Sequence, residues 1–255
     1  MHKVVKTLPN AKAVKHTLVV AAYKEFENLF QLLLDLDSLL PLDVAIIVAD
    51  DTGEETQTRI EKIVRETLNS DRNWLISFES SKSGRGSAVL RGFHLASENF
   101  SEIEYYSECD ADGSHRPTDI AKVILSPPSD FLIGSRYLPT SKIEGWPRSR
   151  RVASRILNFS IPIMLGIKST DVTNGLRRYS NISTDLIMKH QPLNAGFIFL
   201  SEQALLLSNR GINPVEVPIT FVNRIHGESS VGLSEILDSL YGVLTLFLTK
   251  AKFKK

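Results

Sequence analysis

Apolar positions in the first half of the chain follow two alternating periods. Strand-like runs lie at 17–22, 44–49, 74–78 and 104–109. Between them, 25–39, 54–68 and 86–98 carry apolar residues at helical spacing, the first stopped by Pro41. Strand–helix alternation of this kind predicts an α/β fold, a mostly parallel sheet with helices on both faces. Such sheets bind ligands outside the carboxyl ends of their strands. Acidic residues stand there: Asp50 and Asp51 follow the second run, and Asp110 and Asp112 follow the fourth.

After Pro117 the pattern changes. A short strand at 131–133 leads into Gly134-Ser135-Arg136-Tyr137, and 138–151 reads as a loop rich in Gly, Pro and Arg. An amphipathic helix is predicted over 152–166, a mixed segment over 171–179, a helix over 197–209 and a strand over 215–222. The last element, 233–248, is another amphipathic helix. No internal repeat interrupts this order. One domain over 1–255 is predicted, with a first half of about 17–125, a second of about 126–235, and a C-terminal helix and basic tail over 236–255.

Composition narrows the function classes. Hydrophobic residues make up 42% of the 255, which excludes a disordered chain. Lysine plus arginine total 30 against 29 acids, and without a basic excess a nucleic-acid partner is not expected. Lysines cluster at both ends: Lys3, Lys6, Lys12 and Lys15, then Lys250, Lys252, Lys254 and Lys255. Either end could meet an anionic membrane surface, although the plainer reading is two frayed, solvated termini. The lone Cys109 cannot form an internal disulfide and reads as a buried structural thiol. No apolar h-region follows the basic start, and no run reaches the roughly 18 apolar residues of a spanning helix. The stretches 156–167 and 240–248 read as interfacial, so the expected location is cytoplasmic, peripheral on the membrane face.

Asp110-Ala111-Asp112 carries the chemistry. Two carboxylates one residue apart at a strand end can converge on Mg²⁺ or Mn²⁺ and leave positions open for phosphate oxygens. The bland alternative is an acidic turn. Arg136, Arg148, Arg150, Arg151 and Arg155 crowd one stretch, with Arg177, Arg178 and Arg224 beyond. Arginine forks suit phosphate oxygens, so the cluster points to a diphosphate. Ser83-Gly84-Arg85-Gly86-Ser87 resembles the start of a dinucleotide fingerprint, but Val89 holds the third glycine position and the segment follows the third strand. A tight turn into a helix is the reading for both glycines. His115 and His226 are weaker metal-ligand candidates. No His/Cys cluster has zinc spacing, and no nucleophile elbow is present.

Nine segments occur in one order: VVAAYKEFENL, IIVADDTGEET, SGRGSAVLRGF, ECDADGSHRP, IGSRYL, GWPRSRRVASR, DVTNGLRRY, GFIFLSE and VEVPITFVNRIHGESS. Together, from about 17 to 232, they resemble the inverting family-two glycosyltransferases of GT-A fold, and among them the polyprenol-phosphate mannosyltransferases (dolichol-phosphate mannose synthases). The resemblance implies a nucleotide-sugar-binding first half and an acceptor-binding second half. It implies that Tyr23 and Glu25 meet the base and ribose, and that Asp50 and Asp51 hydrogen-bond base or ribose. Asp110 and Asp112 become the metal site, with Ser114 a third oxygen ligand. Arg136 and Arg150 become phosphate clamps, Asp112 joining them in catalysis. Arg224, Ser229 and Ser230 are placed on a loop over the donor diphosphate. Three positions depart from the pattern: Ala22 stands where relatives often have proline, Ser230 where polyprenol-phosphate synthases usually have lysine, and Leu200 where a glutamine is common.

The implied activity is metal-dependent transfer of mannose from GDP-mannose to a polyprenyl (dolichyl) phosphate at a membrane surface, where a membrane protein could be a partner. Another nucleotide sugar such as UDP-glucose, or a hydroxyl acceptor in envelope polysaccharide synthesis, is the alternative on the same fold. A hydroxyl acceptor needs a general base, and Glu202 is the candidate; its plainer role is pairing with an arginine. A non-catalytic nucleotide-sugar-binding scaffold is the remote reading, opposed by the intact carboxylates and arginines.

Overall fold

The computed structural model describes residues 3–193, 196, 198–223, 233–250 and 253. Its first half is built from strands β1 (Lys3–Thr7), β2 (His16–Ala22), β3 (Val44–Asp50), β4 (Trp74–Phe78) and β5 (Tyr105–Asp110). Helices α1 (Phe26–Leu39), α2 (Glu54–Glu66) and α3 (Arg85–Asn99) connect β2 through β5. The second half runs α4 (Pro117–Ile124), β6 (Phe131–Ser135), β7 (Lys142–Ile143), α5 (Arg148–Leu165), β8 (Arg177–Ser180) and α6 (Asn181–Lys189). It closes with α7 (Phe199–Asn209), β9 (Val215–Pro218), β10 (Thr220–Phe221) and α8 (Leu233–Thr249).

One eight-stranded sheet passes through both halves in the order β1-β4-β3-β2-β5-β8-β6-β9, and β7 and β10 form a separate parallel pair. β4, β3, β2 and β5 are parallel, as alternation requires. All of β3 is buried, which explains its unbroken apolar run: helices cover both faces. Val19, Ile47 and Phe93 belong to the core on one face, and Leu18, Leu33 and Ile46 to the core on the other. α3 lies tight on the sheet because Gly92 has no side chain; a Cβ there would stand 2.5 Å from Val19 Cγ1.

Several expectations are corrected. The N-terminal lysines are not all on a frayed end: Lys3–Thr7 pairs antiparallel with β4 as an edge strand. Val4 and Val5 pack against the two cores, and Lys6 donates to Asn99 Oδ1 at 2.9 Å. Short lysine-bearing strands are a common way to end a sheet. α5 starts at Arg148, four residues before the predicted 152, because its first turn has no apolar residue to signal a helix. α4 begins with Pro117 in its first turn, where a missing N–H costs nothing, so this proline opens a helix. β8 enters antiparallel between β5 and β6, and the predicted strand at 215–222 divides into β9 and β10.

Among the described residues, no helix is long and apolar enough to cross a membrane.

Candidate active site at the sheet switch point

β2, β3 and β4 run outward in one direction and β5 lies on the other side of β2, so the crevice at the carboxyl ends of β2 and β5 is where the strand order reverses. Register brings the acidic residues there. Ala22 at the end of β2 pairs with Asp50, and Ala21 with Asp110.

Asp50 and Asp51 have different surroundings. Asp51 accepts from Arg91 Nη2 at 2.7 Å through Oδ1, and from the Ser83 backbone N–H and hydroxyl at 2.8 and 2.7 Å through Oδ2. It fastens the turn before α3. Asp50 accepts from Thr52 Oγ1 at 2.6 Å, while its buried Oδ2 has no hydrogen-bond partner among the described residues. Burial pushes the Asp50 pKa up from 3.8 to about 6; hydrogen bonds from Thr52 and the charge of Arg91 pull it down, and Asp51 raises it.

The raised pKa has a thermodynamic sign. The folded chain holds this proton more tightly than the unfolded chain, so stability falls as pH rises from about 4 through about 6. Asp50→Asn removes that cost. Relative to wild type, the variant is expected to gain about 2–3 kcal/mol between pH 4 and pH 7.5, since each tenfold change in proton affinity is worth about 1.4 kcal/mol. Urea midpoints at the two pH values measure it; a stability difference that does not change with pH contradicts the assignment.

Tyr23 and Glu25 follow β2. The Tyr23 ring lies 5.3 Å from Lys24 Nζ and 5.2 Å from Lys82 Nζ. Glu25 Oε2 accepts from Asn28 Nδ2 at 2.7 Å. Between them Lys24 adopts φ +56, with its N–H donating to Thr52 Oγ1 at 2.7 Å. Thr52 thereby joins the turn after β2 to Asp50.

Asp110 and Asp112 follow β5. Asp110 Oδ1 accepts from Arg85 Nε at 2.6 Å. The same guanidinium reaches Glu108 Oε2 at 2.7 Å and the Gly175 carbonyl at 2.9 Å. Burial disfavours the charge on Arg85, but Asp110 and Glu108 outweigh it and raise its pKa, so it stays a cation. Asp112 Oδ1 accepts from the Ser114 N–H at 3.0 Å, and the buried Ser114 hydroxyl has no hydrogen-bond partner among the described residues. Among the described residues no three His, Cys, Asp or Glu side chains cluster to hold a metal. Two carboxylates plus an orphaned hydroxyl suit a Mg²⁺ or Mn²⁺ ion that draws its other oxygens from substrate phosphates and water. His115 is buried, hydrogen-bonded through Nε2 to Asn174 Oδ1 at 2.7 Å and edge-on to Phe221.

The arginines separate by environment. Arg136 is buried against Asp171, with Nε on Oδ2 and Nη2 on Oδ1, each at 2.7 Å, and also donates to Thr173 Oγ1. Its guanidinium stands 5.7 Å from the Trp146 ring, and Arg150 stacks on the same ring at 4.0 Å. Arg148, Arg150 and Arg151 belong to the first turn of α5 rather than to a loop, and Arg148, Arg151 and Arg155 are exposed. Arg177 and Arg178 are buried and spend their donors on main-chain carbonyls, Arg177 on Val172, Asn174 and Leu200, Arg178 on Ile124, Ser126 and Pro127. These two hold the second half together.

Glu202 is fully buried and accepts from His190 Nε2 at 2.8 Å and the Leu193 N–H at 2.7 Å, so a histidine fills the pairing role expected of an arginine. Arg224, His226, Ser229 and Ser230 lie outside the described residues.

Arg85, Thr52, Arg91 and Asp171 escaped the sequence reading. Arg85 had a signal, since it sits between Gly84 and Gly86. Only Gly84 serves the turn, at φ +93; Gly86 is small because a Cβ would stand 2.6 Å from Phe199 Cγ. Asp171 had none, because its partner lies 35 residues away.

With this geometry in view, the class is defined. The fold matches solved GT-A glycosyltransferases. Glucosyl-3-phosphoglycerate synthase from Mycobacterium tuberculosis, in complex with Mn²⁺, UDP and glucosyl-3-phosphoglycerate, superposes with a TM-score of 0.61 at 16% identity over 93% of this chain and 80% of that one. A mannosyltransferase from Pyrobaculum calidifontis, in complex with GDP-Man and Mn²⁺, gives 0.57 at 14% identity over 96% and 73%. The glycosyl transferase family 2 model matches residues 17–185, and the chain belongs to that family. It is 31% identical over 218 residues to undecaprenyl-phosphate mannosyltransferase from Micrococcus luteus, covering 84% of this chain and 86% of the relative. It is 28% identical over 228 residues to polyprenol monophosphomannose synthase from Mycolicibacterium smegmatis, covering 89% and 84%.

Proposed function

We propose that this chain transfers mannose from GDP-mannose to a polyprenyl phosphate, with Mg²⁺ or Mn²⁺ at Asp110 and Asp112. The observation that carries the acceptor assignment is the construction of α5. Its first turn holds Arg150 on Trp146, beside Arg136, and the same helix then presents an apolar stripe. Val152, Ile156, Phe159 and Ile163 form that stripe, each between 58% and 70% exposed. A cation cluster leading directly into an apolar face suits a phosphate head with an isoprenoid tail. An open cavity of about 760 Å³ beside α5, with Phe159, Ile163, Arg155 and Lys168 in its lining, has the same mixed chemistry.

The donor's base and ribose fit the carboxyl ends of β2 and β3. Asp50 offers an orphaned acceptor oxygen to base or ribose, and Tyr23 and Glu25 lie in the turn after β2 that Thr52 ties to Asp50. A divalent cation, when bound, offsets charge on the departing diphosphate. Arg150 and the Arg136 region oppose the repulsion between donor and acceptor phosphates. A phosphate monoester has a second pKa of about 6 and is largely dianionic at neutral pH, so it attacks without a protein base. One displacement inverts the anomeric carbon. The full burial of Glu202 under His190 and the 193 N–H favours this acceptor over a hydroxyl that needs a base.

α8 packs on α5 and itself exposes Tyr241, Leu244 and Leu248. α5 carries four arginines and no acid, so the pair is suited to lie on an anionic bilayer. The protein acts there as a peripheral enzyme, on the cytoplasmic face.

Extraction of the lipid phase after incubation with Mn²⁺, polyprenyl phosphate and labelled nucleotide sugars tests the reading. Label is expected in lipid from GDP-mannose. Label from UDP-glucose alone, or transfer only to a water-soluble hydroxyl acceptor, would replace it with the alternative.

A further inference from the structure

Three carboxylates lie within five residues at the end of β5: Glu108, Asp110 and Asp112. One cation, Arg85, is built into the first two. It is the first residue of α3, 9% exposed, and its Nε, Nη1 and Nη2 engage Asp110, Glu108 and the Gly175 carbonyl. The surroundings are shaped to admit it. A Cβ on Gly175 would stand 2.4 Å from Arg85 Nη2 and 2.9 Å from Asp110 Oδ2. Glu108, fully buried, is held in turn by the Tyr179 hydroxyl at 2.6 Å. The guanidinium is therefore fixed on three sides.

We propose that Arg85 is a positioning residue that makes metal binding conditional on the donor's diphosphate. This role rests on the glycosyl-transfer reading of the site. A guanidinium 2.6 Å from Asp110 Oδ1 takes one of the carboxylate oxygens available to a dication and repels the dication at short range. Without nucleotide, a dication then finds one Asp110 oxygen already taken and a guanidinium beside it, and is held loosely. A nucleoside diphosphate supplies further oxygens and negative charge, so metal and donor assemble together. Linkage makes this reciprocal: the factor by which nucleotide tightens metal binding is the factor by which metal tightens nucleotide binding. Metal held loosely in the empty enzyme is released once the diphosphate leaves, which frees the site for the next donor.

The test is a Mn²⁺ titration of the full chain, reading free Mn²⁺ by electron paramagnetic resonance, alone and with saturating GDP or UDP in parallel. No sugar transfer is measured. The variant is Arg85→Met combined with Glu108→Gln. This removes both charges of the pair, leaves the net charge unchanged, and keeps an acceptor for Tyr179. Arg85→Lys is the companion that keeps the charge, and thermal melts establish that each variant folds.

In the wild-type chain, Mn²⁺ is expected to bind at least about tenfold more tightly with nucleoside diphosphate than without. In the double variant, binding without nucleotide is expected to tighten about tenfold, and the coupling to shrink by the same factor. Arg85→Lys is expected to retain weak binding without nucleotide. If the folded double variant binds Mn²⁺ without nucleotide no more tightly than wild type, the role given to Arg85 is overturned and the metal site stands. If wild type binds no Mn²⁺ even with GDP or UDP, the metal reading falls and the role of Arg85 with it.

Discussion

Asp112→Asn is expected to reduce sugar transfer by at least about 10³-fold, roughly 4 kcal/mol of lost transition-state stabilisation. The substitution is chosen for what it keeps. Asp112 Oδ1 accepts the Ser114 N–H at 3.0 Å, and an asparagine carbonyl can accept the same bond. The turn after β5 therefore survives, and thermal melts should match wild type closely. What is lost is the negative charge of the second carboxylate of the pair. The remaining Asp110 has its Oδ1 taken by Arg85, so it cannot substitute. Initial rates across a Mn²⁺ series, with chelator as the zero point, measure the effect. Wild-type rates in the variant, or wild-type activity that excess chelator leaves untouched, would sink the metal assignment.

Asp171→Ala is expected to destabilise the protein by about 3–5 kcal/mol, because it leaves a buried guanidinium without its counter-charge. Asp171 is fully buried and takes three bonds from Arg136: its N–H at 2.9 Å, and Nε and Nη2 at 2.7 Å each. Few single changes remove so much at once, and the value is at the upper end for point substitutions. Replacing both partners, Arg136→Met with Asp171→Leu, should recover most of the loss, since a buried pair exchanged for apolar groups is often near neutral. The pair of variants separates two roles. If Arg136 also steadies phosphate through Trp146 and Arg150, the double variant regains stability and not transfer. Urea unfolding gives the first quantity and initial rates the second. A loss below about 1 kcal/mol in Asp171→Ala would mean that Arg136 is not held as described.

The two effects differ in how they could be foreseen. Asp112 stood out as a candidate because its signal is local: two aspartates flanking Ala111 after a strand, in a chain whose periods announce a parallel sheet. Asp171 did not, because a carboxylate 35 residues from its arginine leaves no mark in spacing or composition. The arginine-rich stretch shows the same limit within a few residues. Arg148, Arg150 and Arg151 looked like a loop because helices are recognised by apolar periodicity, and the first turn of α5 has none. Arg177 and Arg178 read as phosphate ligands by type, yet both are buried on carbonyls. Side-chain type sets what a group can bind, and burial decides what it does bind.

The sequence by itself determined the strand–helix alternation, the parallel core of β2 to β5, and the four acidic residues at its carboxyl ends. Those features depend on local period and on the apolar content of each strand, which the chain carries residue by residue. Tertiary structure alone decided that Asp50 keeps an orphaned oxygen while Asp51 is tied to Arg91 and Ser83. It alone decided that Lys3–Thr7 closes an edge of the sheet, and that Arg85 occupies one oxygen of Asp110. These outcomes depend on which groups meet after distant segments pack. Register, burial and electrostatic partnership exist only once the fold is complete.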